Sequence, residues 1–107
     1  MNNLITDEMI ILDQPLKTKD EVIYALAQKI DNAGRLNDVH KYIEAVKSRE
    51  ADFPTSMGFY VAIPHGKSDA VKTSALAFLR LKEMVHWSEE ENVKYIFMIA
   101  VPLENSG

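Results

Sequence analysis

Apolar positions fall into two regimes along this chain, helically spaced in the first half and nearly continuous in the second. Val22, Ile23, Leu26, Ala27 and Ile30 recur at i, i+1, i+4, i+5 and i+8, one stripe of an amphipathic helix. Thr18 opens that helix with Glu21 three residues on, the spacing of a capping box in which each side chain satisfies an exposed backbone donor. Gly34 supplies the left-handed stop. Val39, Tyr42, Ile43 and Val46 mark a second helix, starting near Asn37 or Asp38. It should end near Glu50, because Phe53-Pro54 cannot continue it. Ile10-Ile11-Leu12, ahead of Pro15, is a first strand or a packed lead-in.

The second half changes character. Phe59-Tyr60-Val61-Ala62-Ile63 reads as one strand stopped by Pro64, with Pro64-His65-Gly66-Lys67 at its end. Residues 74–81 and 93–101 are apolar at almost every position, the pattern of strands covered on both faces. Residues 83–91 are polar and are predicted to form a connecting loop anchored by Trp87, while Tyr60, Tyr95 and Phe97 are assigned to strand core. The fold class is α/β, a single domain over residues 1–107 with a central mixed β-sheet of four to five strands flanked by helices. Both helices precede the buried strands, however, and residues 102–107 cannot cover a sheet face. The pattern therefore predicts a C-terminally truncated domain, with a missing helical segment or another chain covering the exposed face.

Composition narrows the function classes. With 107 residues, 47% hydrophobic and 26% charged, the chain can build one real core and is neither disordered nor fibrous. A net charge of −4 argues against nucleic acid, which demands a clustered positive surface. No stretch approaches the roughly 20 apolar residues of a membrane span. The first residues lack a basic region followed by an apolar run, so the expected location is cytoplasmic. Zero Cys removes disulfides, thiolate catalysis and Cys-ligated metals, and no HxH or HExxH pattern is present, so neither metal nor cofactor is expected.

Among the three histidines, His40 is expected at the helix surface and His86 beside Trp87 in a packing or capping role. His65 stands out by its address, after a strand and Pro64 and before Gly66, at the strand edge where α/β proteins place sites. Pro64 fixes the backbone just before the ring, and Gly66 is expected to let another molecule approach closely. The plainer reading is a turn histidine bonded to a nearby carbonyl. Upstream, Arg49 offers a guanidinium suited to two-pronged phosphoryl binding, Thr55 and Ser56 offer hydroxyls, and Gly58 a flexible backbone position. The plainer reading there is a helix terminus with Arg49 paired to Glu50 or Asp52. Glu89-Glu90-Glu91 reads as a solvated loop, and Lys67, Lys72 and Arg80 form no stripe with aromatics.

Arg49-Glu50, Thr55-Ser56-Met57-Gly58 and Val61-Ala62-Ile63-Pro64-His65-Gly66 together resemble the active-site signature of the fructose/mannitol-type (type 2) enzyme IIA domains of the bacterial sugar phosphotransferase system. The similarity runs from Lys19-Asp20-Glu21-Val22-Ile23 through Tyr95-Ile96-Phe97-Met98-Ile99-Ala100, almost the whole chain. It implies a phosphotransferase with a phosphohistidine intermediate. His65 would accept a phosphoryl group from the phosphocarrier HPr and pass it to a cysteine of an enzyme IIB, which serves a membrane enzyme IIC. Arg49 would steady the group, with Thr55, Ser56, Gly58 and Gly66 supporting the pocket.

Two departures accompany the resemblance. Tyr60 stands where the family usually has a small residue, and the family carries a second histidine followed by C-terminal helices beyond the point where this chain stops. Nitrogen-type enzyme IIA proteins and antiterminator domains resemble the same signature, so a regulatory module signalling through the phosphorylation state of His65 is the alternative. An inactive remnant that only binds is a third reading. Asp52 and Asp69 are expected to help steer HPr.

Overall fold

The computed structural model describes residues 4–88 and 91–103. A one-turn 3-10 helix (Asp7–Met9) leads into β1 (Ile10–Gln14), α1 (Lys19–Asn32) and α2 (Val39–Asp52). Three short strands follow, β2 (Ser56–Gly58), β3 (Val61–Ala62) and β4 (His65–Ser68), then two long ones, β5 (Ala75–Ser88) and β6 (Glu91–Pro102).

Both helices form where their stripes predict. Thr18 Oγ1 accepts from the Glu21 N–H, and the Glu21 carboxylate accepts from the Thr18 N–H, each at 3.1 Å. Backbone bonds from Lys17 and Thr18 hold the Glu21 carboxyl below its ordinary pKa. All five stripe residues of α1 are buried, and Gly34 takes φ +78° just beyond its end. Asp38 caps α2 by accepting from the Lys41 N–H, and the helix runs two residues past Glu50 before Phe53 turns extended.

Among the described residues the sheet has six strands rather than four or five, in the order β1-β5-β6-β3-β2, with β4 also against β6. β5 and β6 form an antiparallel hairpin, and β1 runs parallel to β5. β3 and β4 lie in succession along one edge of β6, both parallel to it. The extra strands come from splitting the segment that reads as one. Only Val61 and Ala62 of residues 59–63 pair with β6, while Phe59 and Tyr60 are left-handed at φ 56° and 65°. Pro64 has no N–H and interrupts the ladder, yet its carbonyl accepts from the Ile99 N–H at 3.1 Å, so the chain stays beside β6. His65 consequently opens a strand and does not sit in a turn.

Residues 83–91 correct a second expectation. Most of them belong to the β5–β6 hairpin, because Val85, Trp87 and Val93 are buried within an otherwise polar stretch, leaving one wet and one dry side. Trp87 is an anchor, as expected, but from within a strand. Glu89 and Glu90 of the expected acidic loop lie outside the described residues, as do 1–3 and 104–107.

α1 packs on β5 and α2 on β4. Ala75, Ala77, Leu79 and Leu81 of β5 and Ile96, Met98 and Ala100 of β6 are fully buried, on the side the helices cover. The alternate positions, Leu76, Phe78, Arg80, Tyr95, Phe97, Ile99 and Val101, are only half-buried among the described residues. Tyr95 and Phe97 therefore lie outside the core, and Tyr60 is 54% exposed. Phe78 and Phe97 shelter one another across the hairpin, ring centroids 4.8 Å apart. Among the described residues no helix is long and apolar enough to cross a membrane.

Candidate active site

β4 begins with His65, half-buried, whose Nδ1 lies 2.9 Å from the carbonyl oxygen of Ile63. A carbonyl oxygen only accepts, so in the neutral ring Nδ1 carries the hydrogen and Nε2 holds the lone pair. His65 lines a cleft of about 600 Å³ together with Arg49, Thr55, Ser56 and Gly66. Five of the six residues expected to form the site thus share one concavity. Gly58 does not line it.

Arg49 sits in the last turn of α2, where Nη1 donates to the Phe53 carbonyl at 2.9 Å. That bond replaces the pairing with Glu50 or Asp52 that a plain helix terminus would favour. The guanidinium retains its charge and further N–H donors on the cleft wall.

Glu50, the next residue, turns inward and is 6% exposed. Its Oε1 accepts from the Thr55 N–H at 3.2 Å and from Trp87 Nε1 at 3.1 Å, and lies 2.8 Å from the Lys19 ammonium. Its Oε2 accepts from the Thr55 hydroxyl. Lys19 also lies over the Trp87 ring, 5.0 Å from its centroid. Both donors of Thr55 are thereby committed to Glu50. Thr55 has no N–H or O–H left to give a phosphoryl oxygen, and its contribution to the cleft is position.

Gly66 also differs from its expected use. A Cβ there would stand 3.1 Å from Tyr42 Cε1 and 3.2 Å from Val46 Cγ2, so the glycine makes room for α2 and not for an arriving molecule. Gly58, at φ +82°, begins three successive left-handed residues with Phe59 and Tyr60. For a bulky residue that conformation costs roughly 1–2 kcal/mol. The Tyr60 carbonyl holds the segment by accepting from the N–H groups of Lys94 and Tyr95 at 2.8 and 3.0 Å. Phe53, Met57 and Phe59 are largely exposed, at 72%, 62% and 92%, and Met57 lines the cleft.

Lys67, Met57, Ile63, Ile99 and Val101 line the cleft too and were not read as site residues from the sequence. Lys67 follows His65 by two positions, the spacing that returns a strand residue to the same side. Recognising β4 as a strand would have found it. His40 and His86 are exposed and outside the cleft, Asp52 is exposed, and Asp69 pairs with Lys41 at 2.8 Å.

Residues 3–107 match the sequence profile of the phosphoenolpyruvate-dependent sugar phosphotransferase system EIIA 2 family. The chain belongs to this family. As an EIIA 2 chain it is 36% identical over 97 residues to the fructose-specific EIIA component of Haloferax volcanii, covering 89% of this chain and 63% of that protein. It is 32% identical over 113 residues to the 2-O-alpha-mannosyl-D-glycerate-specific EIIABC component of Escherichia coli strain K12, covering 100% of this chain but 17% of that protein. The chain thus spans less than two thirds of these relatives.

Solved EIIA folds superimpose well. Nitrogen regulatory protein IIA-Ntr of Neisseria meningitidis gives a TM-score of 0.85 at 28% identity, over 96% of this chain and 70% of that one. Mannitol enzyme IIA of Escherichia coli, solved in complex with phosphorylated mannitol enzyme IIB, gives 0.83 at 27% identity, over 95% and 74%.

Proposed function

We propose that this EIIA 2 chain is a phosphoryl relay in a sugar phosphotransferase system, with His65 as the carrier. The observation that carries this reading is the Nδ1 contact with the Ile63 carbonyl, which leaves Nε2 as the ring's nucleophile in a cleft shared with Arg49. In the first step Nε2 attacks the phosphorus on the phosphohistidine of HPr. The new N–P bond forms on His65 as the donor's N–P bond breaks, and the donor ring keeps that electron pair. Nδ1 retains its hydrogen throughout. In the second step a thiolate of enzyme IIB attacks the same phosphorus, an S–P bond forms, and the pair returns to Nε2.

Such transfers pass through a loose, charge-spread transition state, so the protein's work is position and positive potential. Arg49 supplies the potential and Lys67 adds a second charge at the cleft. The exposed apolar side chains of Phe53, Met57 and Phe59 offer docking area to HPr and enzyme IIB in turn, with enzyme IIC reached only through IIB. The relay needs neither metal nor cofactor and operates in the cytoplasm, where phosphoenolpyruvate is available. The likeness to nitrogen regulatory IIA supports a second reading, in which the phosphorylation state of His65 is itself the output.

The deciding experiment is incubation with phosphoenolpyruvate, enzyme I and HPr, followed by intact mass. Wild type should gain one phosphoryl group, labile to acid and stable to base, and His65→Ala should gain none. Absence of the gain on wild type would defeat the relay. Loss of the group on adding a sugar-type enzyme IIB would favour transport, and its retention the regulatory reading.

A further inference from the structure

Resting on the relay reading, we propose that Glu50 is a positioning residue for His65 and acts through Thr55. A continuous path of hydrogen bonds joins the carboxylate to the ring. Glu50 takes both donors of Thr55, the Thr55 carbonyl accepts the Ile63 N–H at 3.1 Å, and the Ile63 carbonyl accepts the His65 Nδ1–H at 2.9 Å. The path matters because Pro64, between Ile63 and His65, has no N–H with which to bond the sheet. The bond that the Ile63 N–H donates to the Thr55 carbonyl therefore anchors Ile63, the residue whose own carbonyl aims the imidazole.

The carboxylate is itself fixed from two other directions, by Trp87 on β5 and Lys19 on α1. Its side chain is 4% exposed. A charge so deep is costly unless all its lone pairs are used, and an apolar residue would serve packing alone. What the carboxylate adds is a fixed acceptor that no apolar side chain provides. Two consequences follow for the ring: the Nδ1–H tautomer is selected, and Nε2 keeps one direction.

The test is ring nitrogen NMR of His65 combined with the initial rate of phosphoryl uptake from HPr. Wild type should show a protonated Nδ1 and an unprotonated Nε2 in the neutral ring. Glu50→Ala should mix the tautomers and slow uptake by about tenfold or more, as misaimed reactive groups do. Glu50→Gln keeps an acceptor oxygen for Thr55 and should lie between. Leu26→Ala removes core contacts away from the path; it should lower the melting temperature and leave both ring signals and rate per folded molecule unchanged.

Wild-type ring signals and rate in a folded Glu50→Ala would overturn the proposal, as would the same tautomer mixing in Leu26→Ala. If Glu50→Ala does not fold, Thr55→Val carries the test, since it deletes only the hydroxyl donor. Tautomer mixing in that variant supports the path, and an unchanged ring defeats it. Failure of wild type to take up phosphoryl would remove the relay, and the ring signals would still decide the role of Glu50.

Discussion

The hydroxyl of Tyr42 donates to the carbonyl oxygen of Ile99 at 2.8 Å, tying α2 to the residue of β6 that stands opposite His65. Tyr42 is fully buried, and burial raises its pKa above the ordinary 10.0. The folded chain keeps the phenol neutral where the unfolded chain ionises it, so this stabilisation is complete below the unfolded value and is lost as pH rises beyond it. Tyr42→Phe should cost about 1 kcal/mol at neutral pH, the worth of one hydrogen bond. Compared by urea unfolding at neutral pH and above the unfolded tyrosine value, the variant should lose less stability than wild type. Equal losses would refute the assignment.

Arg49 and Phe53 lie one helical turn apart, and the bond between them holds the guanidinium at the cleft. Lysine keeps the charge but not the planar fork. Arg49→Lys should therefore fold with wild-type stability and take up phosphoryl more slowly, by about a hundredfold, the scale of losing one preorganised donor to a developing charge. Thermal melts alongside stopped-time mass spectrometry would measure both. An unchanged rate would remove Arg49 from the site.

Met98 and Phe97 are neighbours on β6 that face opposite ways, Met98 fully buried under the helices and Phe97 half-buried against Phe78. Met98→Ala should cost about 2–5 kcal/mol, as large-to-small changes in packed cores do. Phe97→Ala should cost less, despite deleting the larger side chain. A greater loss for Phe97→Ala in equilibrium unfolding would mean that the outer face is core.

The helices were legible because their information is local. Thr18 and Glu21 fix a start, Gly34 fixes a stop, and the stripe from Val22 to Ile30 fixes a buried side, all within one element. The signature from Arg49 to Gly66 was equally legible as a constellation, and five of its six expected site residues meet in one cleft. What each residue does there was less legible. Thr55 reads as a hydroxyl for a phosphoryl oxygen until Glu50 is seen to hold both its donors. Gly66 reads as an opening until α2 is seen to occupy the space.

The second half was hardest, for a related reason. The run of residues 59–63 has strong strand propensity, but two left-handed residues, secured by the backbone of Lys94 and Tyr95, and then Pro64 break it into pieces. The segment around Trp87 looks polar because only every second residue faces the core.

By itself the sequence determined the family, the two helices, the cap and buried stripe of the first, and the histidine singled out by its place after Pro64. Those properties are written in residue type and short spacing, which survive without a partner. The tertiary structure alone decided which sheet face is core, which ring nitrogen of His65 is free, and that a carboxylate five residues ahead of Thr55 reaches the imidazole through two backbone carbonyls. These depend on register and on contacts between elements, and a side chain's partner across a sheet leaves no trace in its own neighbours along the chain.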